Sequence, residues 1–140
     1  MQIQTKYFGT IEIKTETIIN MVQPIYGFET LKHYTLISDE EIGTDLMWFQ
    51  SIENKDVCFM LANPQRFVQD TTIEITSDDS KIVDTQNNED IDVLCIVSLG
   101  ETFEDSTLNL KSPIVLNSKN NQGAQLILNQ DLPFKARLAL

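Results

Sequence analysis

The feature that most constrains this chain is the spacing of its apolar residues, which recurs every second position over much of its length. In TIEIKTETI, Ile11 and Ile13 alternate with Glu12 and Lys14, and in TIEIT, Ile73 and Ile75 alternate with Thr72, Glu74 and Thr76. An extended backbone sends successive side chains to opposite faces, so these segments read as strands with one wet face. The strongest such signal is STLNLKSPIVLN, where Leu108, Leu110, Ile114 and Leu116 share one parity and Asn109, Lys111 and Asn117 the other. Pro113 cannot donate a ladder hydrogen bond and marks an edge, a bend or a bulge. The runs VCFMLA (57–62) and VLCIVSL (93–99) are apolar on both parities, which predicts central strands covered on both sides.

Turn signals separate these runs: PIYGF at 24–28, ANPQ at 62–65, SDDS at 77–80, TQNNED at 85–90 and SKNNQG at 118–123. Short strands between Gly, Asn, Asp and Pro clusters predict an all-β fold, a small barrel-like or sandwich-like antiparallel or mixed sheet with one or two short helices. The helical candidate is DEEIGTDLMWFQSIENK, where Thr44 or Asp45 would cap a turn or two carrying Leu46, Phe49 and Ile52 near one face. A length of 140 residues is near the commonest domain size, so one domain is expected over 1–140. The start, MQIQTKYFGTIEIKT, lacks the basic-then-apolar pattern of a signal peptide, and no apolar run approaches the roughly 20 residues that span a bilayer. A cytoplasmic location is expected.

The formal net charge is −11. Nucleic acids and anionic membranes both demand a basic footprint, so direct binding to either is not expected. The charge is unevenly spread. Residues 1–69 carry 5 basic and 9 acidic groups, residues 70–105 carry 1 and 11, and residues 106–140 carry 4 and 1. The middle segment holds Asp70, Glu74, Asp78, Asp79, Asp84, Glu89, Asp90, Asp92, Glu101, Glu104 and Asp105 against Lys81 alone. In a meander of strands this predicts an acidic patch on one side, either a solvated face or a dock for a basic partner.

Signals for catalysis are weak. Glycines at 9, 27, 43, 100 and 123 are too scattered for a phosphate-cradling loop. His33, the single histidine, has no nucleophile or orienting partner marked beside it, and Ser51 and Ser98 lack a nucleophile-elbow context. Calcium-loop registers starting at Asp78 or Asp90 put Ile82 or Leu94 at ligand positions. Cys58 and Cys95 lie in apolar strand-like runs as expected of buried, reduced thiols, and one His with two separated Cys does not make a zinc site. No enzyme activity, cofactor or metal is expected. The alternatives are a generic acidic β-domain for some other basic protein, or a carboxylate-based hydrolase.

An ordered series of segments resembles the flagellar assembly factor FliW family along almost the whole chain. PIYGF, with Pro24, Gly27 and Phe28, looks like the family's Pro-x-Gly-hydrophobic turn, and Phe49, Gln50 and Ser51 like its aromatic-Gln-Ser helix end. CFMLANPQRF is similar to its apolar strand followed by an acid or Asn and then Pro, here Asn63 and Pro64. The most specific stretch is STLNLKSPIVLNSKNNQGAQLIL, with Asn109, Pro113, Ile114, Asn117, Gly123, Gln125 and Leu128 matching. The ending LPFKARLAL keeps Phe134 and Arg137 but has Ala136 and Leu138 where the family's Arg-Pro-Leu ending differs.

The resemblance implies a non-enzymatic switch with two exclusive partners, newly made flagellin and the RNA-binding translational repressor CsrA. Free protein would relieve repression of flagellin messenger RNA, and accumulating flagellin would occupy the protein and release CsrA. From the charge distribution we expect Glu74, Asp78, Asp79, Glu101, Glu104 and Asp105 to face the basic repressor. The residues leave open whether RNA is displaced by mimicry or indirectly; the resemblance implies the indirect mode. The terminal segments of flagellin are amphipathic, so an apolar groove is the expected receiver, with Ile25, Tyr26, Phe28, Trp48 and Phe49 as candidates. Aromatic residues near turns also serve as core, which leaves both roles open for these five.

Overall fold

The computed structural model describes residues 1–41, 43–69 and 71–138, apart from the side chain of Thr44. Its strands in chain order are β1 (Gln2–Gln4), β2 (Thr10–Glu12), β3 (Ile19–Gln23), β4 (His33–Asp39), β5 (Gly43–Ser51), β6 (Cys58–Ala62), β7 (Ile91–Ser98), β8 (Thr107–Leu108), β9 (Ile114–Asn117), β10 (Gln122–Gln125) and β11 (Ala136–Arg137). Two short helices, α1 (Pro64–Phe67) and α2 (Ser77–Ile82), lie between β6 and β7. Seven strands close a barrel in the order β7, β6, β5, β4, β3, β10, β9, and β9 returns to β7. Their pairings are antiparallel except for β10 with β3, which is parallel. This is the all-β, barrel-like class that the alternation predicts. Closure gives every barrel strand two neighbours, which removes the exposed edges of an open sheet.

The β7 strand organises the closure. One edge pairs with β6, while the other is shared by β9, opposite residues 91–94, and β8, opposite Val97 and Ser98. Residues 107–117 therefore follow β7 as one interrupted strand. The interruption is the bend expected at Pro113, and Asn109 fixes it by accepting the Ser112 N–H at 3.0 Å. Strand parity then sorts the core into two layers. Ile19, Met21, Tyr34, Phe49, Leu61, Leu94, Ile114 and Leu116 fill the barrel interior. Ala62, Cys95, Val97 and Val115 point outward beneath Phe67, Val83, Leu128 and Leu132 of the covering segments.

Three local expectations are corrected. Residues 44–52 do not form a capped helix: β5 runs through them, and Phe49, Gln50 and Ser51 end a strand rather than a helix. The run is short and apolar enough to satisfy either period, and pairing on both edges decides for the strand, with Phe49 opposite Phe59 and Leu36. Residues 72–76 have the alternation of a strand but make no ladder. Instead Gln130 holds them, its Oε1 accepting the Glu74 N–H at 3.0 Å and its Nε2 donating to the Thr72 carbonyl at 2.6 Å. Residues 77–80, expected to turn, open α2. The missed signal is Thr76-x-x-Asp79, a capping box in which Asp79 N–H donates to Thr76 Oγ1 at 3.1 Å and Thr76 N–H to Asp79 Oδ2 at 3.0 Å.

Candidate functional site

The residues that carry the family resemblance are mostly braces. Gln125 Oε1 accepts the Tyr26 N–H at 2.8 Å, and Gly27 beside it takes φ +88°, so the PIYGF turn is held from β10 across the sequence. Asn63 caps α1 by accepting the Gln65 N–H at 3.1 Å, with Pro64 in the first turn. Asn117 donates to the Val83 carbonyl at 2.9 Å and accepts the Lys119 N–H at 3.0 Å, which ties the β9–β10 turn to the end of α2. Gly123 sits inside the barrel, where an added Cβ would meet Leu116 Cδ2 and Met21 Sδ at 2.8 Å each. Gln50 is fully buried and bonds to Lys6, Ser51, Lys55 and Val57.

These braces separate the five apolar candidates. Ile25 and Phe49 are buried in the interior, Phe49 stacked on Tyr34 with ring centroids 4.3 Å apart. Tyr26 is 85% exposed on the turn that Gln125 holds. Phe28 is partly exposed and stands edge-on to Phe59 at 5.1 Å. Trp48 points outward from β5, half-buried, and meets Phe8 edge-on at 5.5 Å. It lines a groove of about 560 Å³ with Tyr7, Phe8, Asp39, Cys58, Phe59, Met60, Val97 and Leu99. Tyr7, Phe8 and Leu99 are exposed there, and sequence reasoning missed all three. The loop joining β1 to β2 brings Tyr7 and Phe8 over the barrel wall, a placement that no local pattern announces.

The acidic candidates fall on two separate elements. Glu74, Asp78 and Asp79 lie at and before the start of α2; Glu101, Glu104 and Asp105 lie in the connection from β7 to β8. All except Asp79 are exposed. Several are already engaged: Asp79 caps α2, Asp78 stands 3.8 Å from Lys81, and Asp105 stands 4.0 Å from Arg137. No hydrogen bond or ion pair joins one group of three to the other among the described residues. The basic C-terminal third folds back on the acidic segment, since Lys119 also meets Asp90 at 3.2 Å. Asp70 lies outside the described residues.

His33 Nδ1 lies 3.4 Å from Glu53, whose carboxylate also accepts the backbone N–H groups of Lys32 and His33. Partial burial pushes Glu53 upward, but these bonds outweigh it and hold the carboxyl below its ordinary range. Burial pushes the Cys95 thiol up to about 12 and Cys58 up to about 11, the latter against the opposing charge of Lys6. Both sulfurs are free thiols and stay protonated at neutral pH, Cys95 in the outer apolar layer and Cys58 at the groove. Among the described residues no three His, Cys, Asp or Glu side chains gather where a metal ion could be held.

A family model described as FliW protein matches residues 2–138. The chain is 37% identical over 131 residues to a flagellar assembly factor FliW of Caldanaerobacter subterraneus subsp. tengcongensis, covering 94% of this chain and 87% of that one. It is 36% identical over 137 residues to a flagellar assembly factor FliW of Clostridium kluyveri, covering 96% and 93%. A crystal structure of the flagellar assembly factor FliW superposes with a TM-score of 0.88 at 30% identity, over 98% of this chain and 96% of that one.

Proposed function

The chain belongs to the FliW family of flagellar assembly factors, and from that premise we propose that it is a non-enzymatic, cytoplasmic binding protein that couples flagellin synthesis to export. In this reading it binds newly made flagellin and, when free of flagellin, antagonises the translational repressor CsrA. The observation that carries the flagellin half is the groove beside Trp48. A terminal segment of flagellin with an apolar stripe fits such a channel as a helix laid into a groove, and Tyr7, Phe8 and Leu99 offer it exposed apolar surface. Phe28 touches Phe59, one of the groove's lining residues, while Tyr26 is exposed on the turn beside Phe28 and is not among the residues that line the groove. Ile25 and Phe49 support it from within the core.

The repressor half rests on charge. A protein that binds RNA offers positive surface, and the exposed carboxylates of Glu74, Asp78, Glu101 and Glu104 complement it, with Asp79 and Asp105 held in the cap and the Arg137 pair. The decisive experiment is affinity purification from a lysate of motile bacteria with the bound proteins identified by mass spectrometry. Recovery of flagellin and of a small basic RNA-binding protein is expected. Recovery of neither overturns the reading.

A further inference from the structure

The barrel wall has a gap beside β7. Strands β6 and β7 share two residue pairs, Leu61 with Ile96 and Ala62 with Cys95, and β6 then leaves the sheet. The cause is local: Pro64 has no N–H to continue the ladder and instead opens α1 behind the Asn63 cap. Alternation along β7 identifies the edge left vacant. The Ile96 carbonyl accepts the Asn109 N–H at 3.0 Å, so the even-numbered residues of β7 address β8 and β9 while the odd-numbered ones address β6. Cys95 finds Ala62 there. The N–H and C=O of Val93 and the C=O of Ile91 have no partner among the described residues.

Val93 and Ile91 line a cavity of about 790 Å³. Leu36, Leu94 and Leu116 of the interior layer give it an apolar floor. Much of the remaining lining comes from the segment 63–73, with Pro64 and Gln65 at the start of α1 and Val68, Thr72 and Ile73 beyond it. The Gln130 amide takes the Thr72 carbonyl and the Glu74 N–H, and the backbone groups of Ile73 between them are unpaired among the described residues. Unpaired main-chain groups over an apolar floor are what an added strand recognises, since ladder bonds supply affinity and side-chain pockets supply selectivity. The lining holds no Lys or Arg and a single carboxylate, Asp92, and Glu74 is exposed next to Ile73. An acidic segment is therefore disfavoured, as is a second copy of a chain with net charge −11.

We propose that this gap is a strand-addition site for an extended segment of a protein partner, apolar at alternate positions with uncharged polar residues between. One residue of the segment exchanges two hydrogen bonds with Val93 in the place that Pro64 cannot fill, and its apolar neighbours point to the leucine floor. The site is separate from the groove beside Trp48, which lies past the other end of the two β6–β7 pairs, at Cys58 to Met60 and Val97. It does not depend on the flagellin and CsrA reading.

The probe is acetyl-Ser-Val-Thr-Val-Ser amide, added to the isotope-labelled full chain while amide hydrogen exchange is followed residue by residue. In the chain alone the Val93 N–H should exchange at least about tenfold faster than that of Leu94, which is paired with Ile114. Saturating peptide should slow Val93 by about tenfold or more and leave the indole signal of Trp48 unmoved. N-methylation of the central Thr should weaken binding about tenfold, whereas N-methylation of either Val, whose N–H points away from β7, should cost less than about threefold. A Val93 N–H already protected in the chain alone, no added protection with peptide, N-methylation losses that do not fall on the central Thr, or equal binding of acetyl-Ser-Glu-Thr-Glu-Ser amide each overturns the proposal. Protection of Val93 that grows with protein concentration in the absence of peptide makes a second copy the occupant and overturns it as well.

Discussion

The side-chain oxygen of Gln50 accepts the backbone N–H of Lys6 at 3.0 Å, joining the loop between β1 and β2 to a barrel strand 44 residues away. The amide nitrogen of the same side chain donates to the carbonyls of Lys55 and Val57 at 3.1 and 3.3 Å. A buried amide that satisfies groups on two separate segments is costly to remove, because each is left without water. Gln50→Ala should destabilise the fold by about 2–3 kcal/mol in urea unfolding. Because Lys6 leads directly into Tyr7 and Phe8, the variant should also lose flagellin affinity, which a pull-down with purified flagellin reads.

Trp48 is half-buried and packs edge-on against Phe8 rather than into the barrel interior. Trp48→Ala should abolish flagellin capture while lowering stability by only about 1–2 kcal/mol, the worth of an aromatic pair with part of its burial. Phe49→Ala, by contrast, empties a fully buried site stacked on Tyr34 and should cost about 3–5 kcal/mol. Thermal unfolding beside the binding assay separates the two. A collapse of the fold in Trp48→Ala would make Trp48 a core residue and not a contact.

Gly123 faces Leu116 and Met21 across a space too small for a methyl group. Gly123→Ala should therefore destabilise by about 1–3 kcal/mol through overpacking, although alanine favours folding where the backbone is merely permissive. A chemical denaturation midpoint that rises in this variant would count against close packing of Gly123 on Leu116 and Met21.

Two buried groups, Tyr34 and Cys95, and the half-buried Cys58 set the alkaline limit. Burial raises the Tyr34 hydroxyl to about 12, with Glu53 adding to the effect, and raises Cys95 to about 12 and Cys58 to about 11. Each is raised in the fold, so the unfolded chain loses its protons first. Stability is fully present below about pH 9 and falls as pH rises from there toward 12. Among the described residues the Tyr34 hydroxyl also has no hydrogen-bond partner. Tyr34→Phe should leave neutral stability unchanged or raise it by about 1 kcal/mol, and should flatten the decline above pH 10. Unfolding curves taken between pH 7 and pH 11 check both.

Exposed charge pairs are screened by salt, so affinity for CsrA should fall steadily as ionic strength rises from low to high salt. Affinity that holds constant across the titration would count against a charge-driven dock. Glu101→Lys with Glu104→Lys should weaken CsrA and leave flagellin unaffected, since both lie outside the groove lined by Trp48.

Much of the scaffold was legible because its signals are local. Asn63 before Pro64, Gly27 in PIYGF, the bend at Pro113 and the central runs at 57–62 and 93–99 act within a few residues of where they stand. The candidate site was less legible. Tyr7, Phe8 and Leu99 reach the groove only because separate segments meet over β5 and β6, and Ile25 and Phe49 look like surface aromatic and aliphatic anchors until closure places them inside.

The sequence by itself determined that this chain is a β-protein with a polarised charge, since a period of two and an excess of carboxylates need no tertiary context. The family resemblance also marked the braces, Gln50, Asn109, Asn117, Gly123 and Gln125, before their work could be known. Tertiary structure decided which period won at residues 44–52, where pairing on both edges outweighed a helical reading. It also turned part of the basic C-terminal third onto the acidic segment through Lys119 and Arg137. Parity along a strand is a local property, whereas inside and outside exist only once β9 returns to β7 and the barrel closes.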